Sequence, residues 1–352
     1  MSELLNIHDD RAVIRWRLLA SASALALVAA ASSSGVARAE DADRPSVWLE
    51  VGGQVTFLEG TEQQYTPPFL SMLPTSLPDP TPAQRMPARS ADLTGRISFV
   101  PGDSGWVFSA GVRYGRSSVQ GRISKVLPAY YLGIPNKYAR VNNYVHSEAR
   151  ENQSHAILDF QVGKDVGLGM FGGTSVLSAG LRAVQFSSNS SVDIGLVPDF
   201  QINSGHNIFT GTEQAQRSFH GMGPEISWDG FAPLAGDTEA GQLTLDWGVN
   251  AAILFGRRTT SVHHQTAQTY APYSGYASNV YTTSANPKRS RRVTVPNLGG
   301  FAGVSVRYPN AKISIGYRAD EFFGAIDGGI DTEKKENRGF HGPYASISIG
   351  LP

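Results

Sequence analysis

Few side chains in this sequence have the types and spacing that catalysis or metal binding requires. His263 and His264 are adjacent imidazoles that could ligate a metal or transfer protons, but no Asp or Glu lies close in sequence to orient them. A hydrolase would need a serine, a histidine and an acid at one site. Two candidate pairs, His341 with Asp320 and His263 with Glu62, have a spacing no different from chance. We therefore expect no enzyme, no metal site and no cofactor.

Charged residues at regularly alternating positions are better candidates for a function. Such side chains, turned into a channel, would bind and select ions, whereas side chains turned toward one another would form ion pairs that fill a narrow interior. An anion pore would be dominated by Arg and Lys and a cation pore by acids, but here the two signs nearly balance. Both alternatives stay open for the candidate lining residues Glu50, Arg96, Arg113, Asp159, Arg182, Glu225, Asp246, Arg307 and Arg318.

The elements that position these residues are predicted to be β-strands with one apolar face. In the segment 242–256, Leu243, Leu245, Trp247 and Val249 share one parity, and polar residues share the other. This period of two indicates a strand with one apolar side. Similar alternation predicts ten strands, within residues 46–58, 93–99, 106–114, 156–162, 177–183, 218–228, 242–256, 300–308, 313–319 and 342–351.

The connections between these strands alternate between long and short. Long connections follow the odd-numbered strands and cover approximately residues 59–92, 116–153, 187–217, 257–291 and 323–341. This arrangement is typical of bacterial outer-membrane barrels, which have short periplasmic turns and long extracellular loops. The sequence therefore predicts an all-β fold, an antiparallel transmembrane β-barrel of about ten strands with both ends in the periplasm.

The first 39 residues have the three parts of a cleaved signal peptide. Arg11, Arg15 and Arg17 precede the uncharged stretch 18–31, and cleavage is expected after Ala39. The alternative is an N-terminal anchor helix, for which the apolar stretch is short. We expect export of residues 40–352 as one barrel domain to the outer membrane. The whole sequence has 30 basic and 30 acidic residues and no cysteine, so we expect neither nucleic-acid binding nor disulfides.

Three short stretches carry a family resemblance. They lie at residues 106–114, at 219–224, and in the last part of the chain at 315–323, 327–329 and 339–344. These stretches resemble the pore-forming outer-membrane proteins grouped around the major outer-membrane protein of Legionella. The resemblance covers the third to the tenth predicted strand and implies an outer-membrane barrel with channel activity, without naming a substrate. The chain ends in Leu351-Pro352, where many outer-membrane barrels have an aromatic residue.

We expect a porin-like channel for passive diffusion of small hydrophilic solutes or ions. The alternative is a structural or adhesive barrel with a plugged lumen and partner-binding loops. The first long loop has seven prolines between Pro67 and Pro87 and either folds inward as a constriction or stays exposed. A basic cluster in the fourth long loop either contacts lipopolysaccharide phosphates or is simply solvated. Its members are Lys288, Arg289, Arg291 and Arg292.

Overall fold

The computed structural model describes residues 46–59, 88–102, 105–131, 139–168, 173–198, 206–271 and 279–351. The predicted signal peptide, the proline-rich first loop and Glu62 lie outside these residues. No helix in the described ranges is long and apolar enough to cross a membrane. The strands are β1 (Val47–Glu59), β2 (Ala88–Phe99), β3 (Trp106–Tyr131), β4 (Ala139–Asp165), β5 (Ser175–Pro198), β6 (His206–Ala235), β7 (Gln242–Ala271), β8 (Asn279–Ala285), β9 (Lys288–Arg307), β10 (Ala311–Asp327) and β11 (Lys335–Leu351).

The strands form one closed antiparallel barrel. The first strand pairs with both β2 and β11, and β6 pairs with both β5 and β7, so the hydrogen-bonded ring has no gap. Strands β8 and β9 follow each other along the same side of β7: Ala285 faces His264, and Lys288 faces Ser261. The break between them falls at Pro287, which has no N–H to give to the ladder. Ten strand positions surround the lumen, which confirms the predicted barrel.

Apolar side chains form a continuous belt on the outer face of the barrel. On β7, Val249, Ile253 and Phe255 point outward and are exposed, whereas Thr244 and Asp246 point inward and are buried. The belt includes aromatic rings near the turns, among them Trp228 and Trp247 in a T-shaped contact at 4.9 Å. A lipid-facing wall has this inverted pattern, because apolar side chains contact acyl chains and polar ones must turn inward. The fold is that of a transmembrane β-barrel.

Short turns lie at one end of the barrel, together with both ends of the described chain. The described residues of these turns are 100–102 and 105, 166–168 and 173–174, 236–241 and 308–310. We call this the turn end, and the opposite end the loop end. The connections after β2, β4, β6 and β9, which the sequence predicts to be short, all lie at the turn end.

The predicted extents of the second to the fifth long loop are wrong, because most of those residues continue the strands. Most of the first predicted loop, 59–92, lies outside the described residues. Strand β6 has 30 residues, whereas the apolar belt of such barrels is only about 25 Å tall, or about eight residues at 3.3 Å each before tilt. Beyond the belt the outward positions carry Arg116, Ser118 and Gln120 instead of apolar residues. Alternation with apolar outward residues identifies a strand only where its outer face contacts lipid, so it does not detect the parts of the strands that lie in water. Likewise, the predicted loop 323–341 is reduced to 328–334 by β10 and β11.

Candidate functional site in the lumen

A polar cavity of about 450 Å³ occupies the turn-end part of the lumen. Its wall runs from Val100 and Lys312, beside the turns, up to Ile157 and Asp320 in the middle of the barrel. All nine charged residues that the sequence analysis selected line this one cavity. They are Glu50, Arg96, Arg113, Asp159, Arg182, Glu225, Asp246, Arg307 and Arg318.

Arg182 is the centre of the charge network at the inner end of the cavity. Its guanidinium forms ion pairs with Asp159 (Nε to Oδ1, 2.7 Å) and Glu225 (Nη2 to Oε1, 2.5 Å), and Nη1 donates to Asn250 Oδ1 at 2.7 Å. Arg182 is only 5% exposed. Asp159, Glu225 and Asn250 lie on β4, β6 and β7, next to Arg182 on the same side of the barrel. The network reaches across the lumen through Asp320 of β10, whose Oδ1 lies 3.7 Å from Arg182 Nη1. A buried arginine is stable here because several acids compensate its charge.

Three further ion pairs use partners that the sequence analysis did not select for the lining. Arg113 Nη2 lies 2.8 Å from Asp320 Oδ2. Lys312 Nζ lies 2.5 Å from Asp246 Oδ2, and Arg96 lies 3.9 Å from Asp229. Asp320, Asp229 and Lys312 have the inward parity of their strands, so the alternation itself was the signal for them.

The remaining lining residues use aromatic and hydroxyl contacts. The Arg307 guanidinium lies over the Phe231 ring at 3.9 Å, and that of Arg318 lies 5.2 Å from the Tyr344 ring centroid. Ser348 donates to Glu50 Oε2 at 3.3 Å. The lining is therefore a set of compensated charges with both signs present, and not a ring of one sign.

A layer of buried apolar side chains fills the lumen above the cavity, at the loop-end border of the lipid belt. Phe186 is its centre: the ring centroids of Phe322, Phe340 and Phe219 lie 4.8, 5.1 and 6.0 Å from that of Phe186. We call this the aromatic layer. Its other members come from walls on both sides: Leu58, Ile157, Val184, Ala252, Leu254, Val295, Ala325 and Ile326. These positions have inward parity but apolar side chains, so the sequence analysis missed them.

The last connection of the chain folds into the lumen above the aromatic layer. A bulge between Phe322 and Ile326 shifts the register of β10 against β11. Gly324 lies at a φ of 68°, a backbone conformation that side chains disfavour. After this bulge, residues 325–330 are all buried. We call residues 324–334 the inward loop.

The carboxylate of Asp327 organises the inward loop. Its Oδ1 accepts hydrogen bonds from the N–H groups of Gly329 (3.1 Å) and Lys334 (3.0 Å), and Arg289 Nε donates to Oδ2 at 2.7 Å. Arg289 also donates to the Ile330 and Gly329 carbonyls at 2.7 Å each. Burial opposes ionisation of Asp327, but these hydrogen bonds outweigh it and lower the pKa of this carboxyl.

Other basic residues of the wall hold the same loop from β6 and β7. Arg217 Nε donates to the Asp327 carbonyl at 3.0 Å, and Arg258 Nη1 donates to the Gly324 carbonyl at 2.7 Å and also pairs with Glu333. Glu213 lies beside them, 3.8 Å from Arg217. Burial raises the pKa of Glu213 to about 7, against the opposing effect of Arg217 and His264.

The basic cluster of residues 288–292 is divided between the two faces of the barrel wall. Arg289 points inward to Asp327, and Arg291 Nη1 lies 2.6 Å from Glu333 Oε2. These two residues therefore contact the inward loop, and the contact of the cluster with lipopolysaccharide stays a prediction. Lys288 and Arg292 point outward and are exposed.

The paired histidines of the sequence analysis lie apart from their expected partners, as far as both members of a pair are described. His263 and His264 point to opposite faces: His263 contacts Asn286, and His264 Nε2 lies 2.8 Å from Asp331. His341 is on the outer face, where it contacts Tyr317 and Glu59, whereas Asp320 points into the lumen. No group of three metal-ligating side chains lies together within the described ranges.

Comparisons with known proteins find similar barrels only at low similarity. No family model and no curated protein sequence matches the chain. The transport unit of the autotransporter AIDA-I from Escherichia coli is 7% identical, with 91% of this chain and 94% of that chain covered and a TM-score of 0.26. The translocator domain of the autotransporter NalP from Neisseria meningitidis is 11% identical (94% and 98% covered, TM-score 0.25). The CymD monoaromatic hydrocarbon channel is 8% identical (88% and 89% covered, TM-score 0.20). At these values the likenesses carry no conclusion about function.

Proposed function

We propose that the protein is a porin-like outer-membrane channel for small hydrophilic solutes or ions, and that the described conformation is its closed state. The observation that carries this proposal is the polar cavity, lined by the charges of both signs around Arg182 and reaching the turn end. The resemblance to the Legionella family of pore-forming proteins supports it. In this proposal the turn end faces the periplasm and the loop end faces outward, as in other bacterial barrels.

The conducting path would run through the aromatic layer and past the inward loop. Side chains such as Phe186 fill the lumen, so solute could pass only after they and the loop have moved aside. Compensated charges of both signs at the inner end of the cavity would interact with passing cations and anions without binding either kind of ion tightly.

The test is conductance in planar bilayers under a salt gradient. We expect rare openings of the wild type and more frequent openings of Phe186→Ala, which removes the centre of the aromatic layer. The matched control is Phe255→Ala, which removes the same side chain from the outer face and should leave the open probability unchanged. Arg182→Glu should shift selectivity toward cations, whereas the outward Arg116→Glu should not. The channel proposal would be overturned if neither the wild type nor Phe186→Ala conducts although both are folded.

The second candidate is a structural or adhesive barrel with a permanently plugged lumen. The specific observation in its favour is the number of hydrogen bonds between the wall and the inward loop, four of them from Arg289 and Arg217 alone. In this case the long strands beyond the lipid belt would present the binding surface. Absence of conductance in both the wild type and Phe186→Ala would favour this function.

A further inference from the structure

Two arginines lie side by side on the outer face, at the border where the lipid belt ends. Arg257 of β7 and Arg292 of β9 are direct cross-strand partners, and both are exposed. The next outward pair toward the turn end on the same two strands is Phe255 with Thr294. Cross-strand partners have Cβ atoms about 5 Å apart, so two like charges placed there repel each other.

The acids near this part of the chain do not compensate the pair. Glu333 of the inward loop pairs with Arg258 and Arg291, and Asp327 pairs with Arg289; all these contacts lie on the lumen side of the wall. Within the described residues, no acid forms an ion pair with Arg257 or Arg292.

Other outward arginines at the same border are accommodated differently. Arg89 lies over the Phe57 ring at 5.4 Å, and Arg116 lies over the Tyr114 ring at 5.6 Å. Each of these cations therefore has an aromatic face as its partner. The pair Arg257 and Arg292 instead borders an open groove of about 450 Å³, whose lining is completed by Phe255, Gly256, Val293 and Thr294.

We propose that this groove binds the phosphate monoester of an anionic membrane lipid in the leaflet at the loop end, in preference to the choline-capped phosphodiester of a zwitterionic lipid. Two adjacent guanidinium groups can hold the oxygens of one phosphate, which would also relieve their mutual repulsion. Directly below, Phe255, Ile253 and Leu298 are 59%, 49% and 58% exposed and offer an apolar surface for the acyl chains. The proposed site shares Arg292 with the basic cluster predicted from the sequence and adds Arg257 of the neighbouring strand. This inference rests on the membrane placement of the barrel and is independent of channel activity.

The test is native mass spectrometry of the full barrel in nanodiscs of phosphatidylcholine that contain a minor fraction of phosphatidic acid. We expect the wild type to retain phosphatidic acid, and Arg257→Gln/Arg292→Gln to lose it by on the order of tenfold, since each basic side chain near an anionic lipid contributes noticeably to binding. The charge-matched control Arg89→Gln/Arg116→Gln should retain the lipid. Equal retention by the wild type and the Arg257/Arg292 variant, or equal loss in both double variants, would overturn the site.

A second measurement separates binding from folding. In pure phosphatidylcholine the Arg257→Gln/Arg292→Gln variant should unfold at the same or a higher temperature than the wild type, because the repulsion is gone. Addition of phosphatidic acid should raise the unfolding temperature of the wild type only. An excess of inorganic phosphate should not replace this effect, since it cannot occupy the apolar surface. A variant that is less stable than the wild type in pure phosphatidylcholine, or wild-type stabilisation by inorganic phosphate alone, would contradict the proposal.

Discussion

The lumen is built in two different ways on the two sides of the aromatic layer. Toward the turn end, charged side chains such as Arg182 and Asp320 meet across a cavity. Toward the loop end, the space is occupied by backbone, because the inward loop passes between the walls and Asp327 fixes its shape. Within the lipid belt, the alternation of the strands determines which side chains point into the lumen. Beyond the belt, the lumen is filled by the inward loop, a separate segment of the chain.

The largest effect should come from breaking the layer that divides these two halves. Phe186→Ala removes a ring that is 1% exposed and contacts three other rings, so we expect a loss of about 3–5 kcal/mol in the free energy of unfolding. Urea unfolding in lipid vesicles, followed by gel mobility, measures it. The outward Phe255→Ala is the control and should cost much less. Equal losses in the two variants would show that the layer is not a packed core.

The turn-end half depends next on compensation of the buried charges. Arg182→Gln leaves Asp159 and Glu225 without their shared cation, and we expect a loss of about 3 kcal/mol. The double variant Arg182→Gln/Glu225→Gln should recover part of it, which a double-mutant cycle in the same unfolding assay would measure. As a control, Arg307→Gln removes a charge that lies over the Phe231 ring and should cost about 1 kcal/mol or less. A fully additive cycle would contradict the pairing.

In the loop-end half, Arg289→Gln should loosen the inward loop without unfolding the barrel. The variant removes the partner of Asp327 and the donors to two loop carbonyls, so we expect a local loss of about 2 kcal/mol. Faster amide hydrogen exchange confined to residues 325–334 would measure it. Lys288→Gln, one residue away and outward, is the control. Unchanged exchange in Arg289→Gln would show that other contacts hold the loop.

The smallest predicted effect concerns pH. Because the pKa of Glu213 is raised in the folded state to about 7, from 4.5 when unfolded, the folded state binds the proton more tightly. The contribution of Glu213 to the free energy of unfolding is therefore most favourable below pH 4.5 and declines as the pH rises toward 7. The difference in free energy of unfolding between Glu213→Gln and the wild type should therefore be more favourable to the variant at pH 8 than at pH 5, by on the order of 1 kcal/mol. Thermal unfolding at both pH values tests this, and an identical pH dependence of variant and wild type would contradict it.

The sequence predicts the half of the lumen that the lipid constrains. Outward apolar residues such as Val249 reveal the parity of each strand, and parity then places Arg182 and Glu225 inside. Parity cannot reveal which acid pairs with which base, because the pairing depends on the relative stagger of strands that are distant in sequence. Phe186 and Phe219 were not placed in the lumen, because they are apolar residues at inward positions, where the alternation predicts polar side chains. The recurrence of such apolar inward residues where the belt ends would have been their signal.

The loop-end half was the harder one to predict, for two physical reasons. The outward positions beyond the belt are polar, as at Arg116, so the strands there resemble loops. The inward loop is short, and its entry into the lumen depends on the bulge at Gly324 and on arginines supplied by β6, β7 and β9. The proline-rich first loop, for which an inward constriction and an exposed position were the two alternatives, lies outside the described residues.

The aromatic layer also has an electrical consequence. Where water and mobile ions fill the cavity, they conduct, and the cavity then shares the electrical potential of the compartment at the turn end. A voltage across the membrane then falls over the filled part of the lumen, instead of over the whole belt of about 25 Å. Arg182 and Asp320 lie at the edge of this part and experience a steeper field than groups in an evenly filled barrel. One unit charge carried across 100 mV corresponds to about 2.3 kcal/mol, so the layer works as the dielectric of a capacitor with charged groups at its plate.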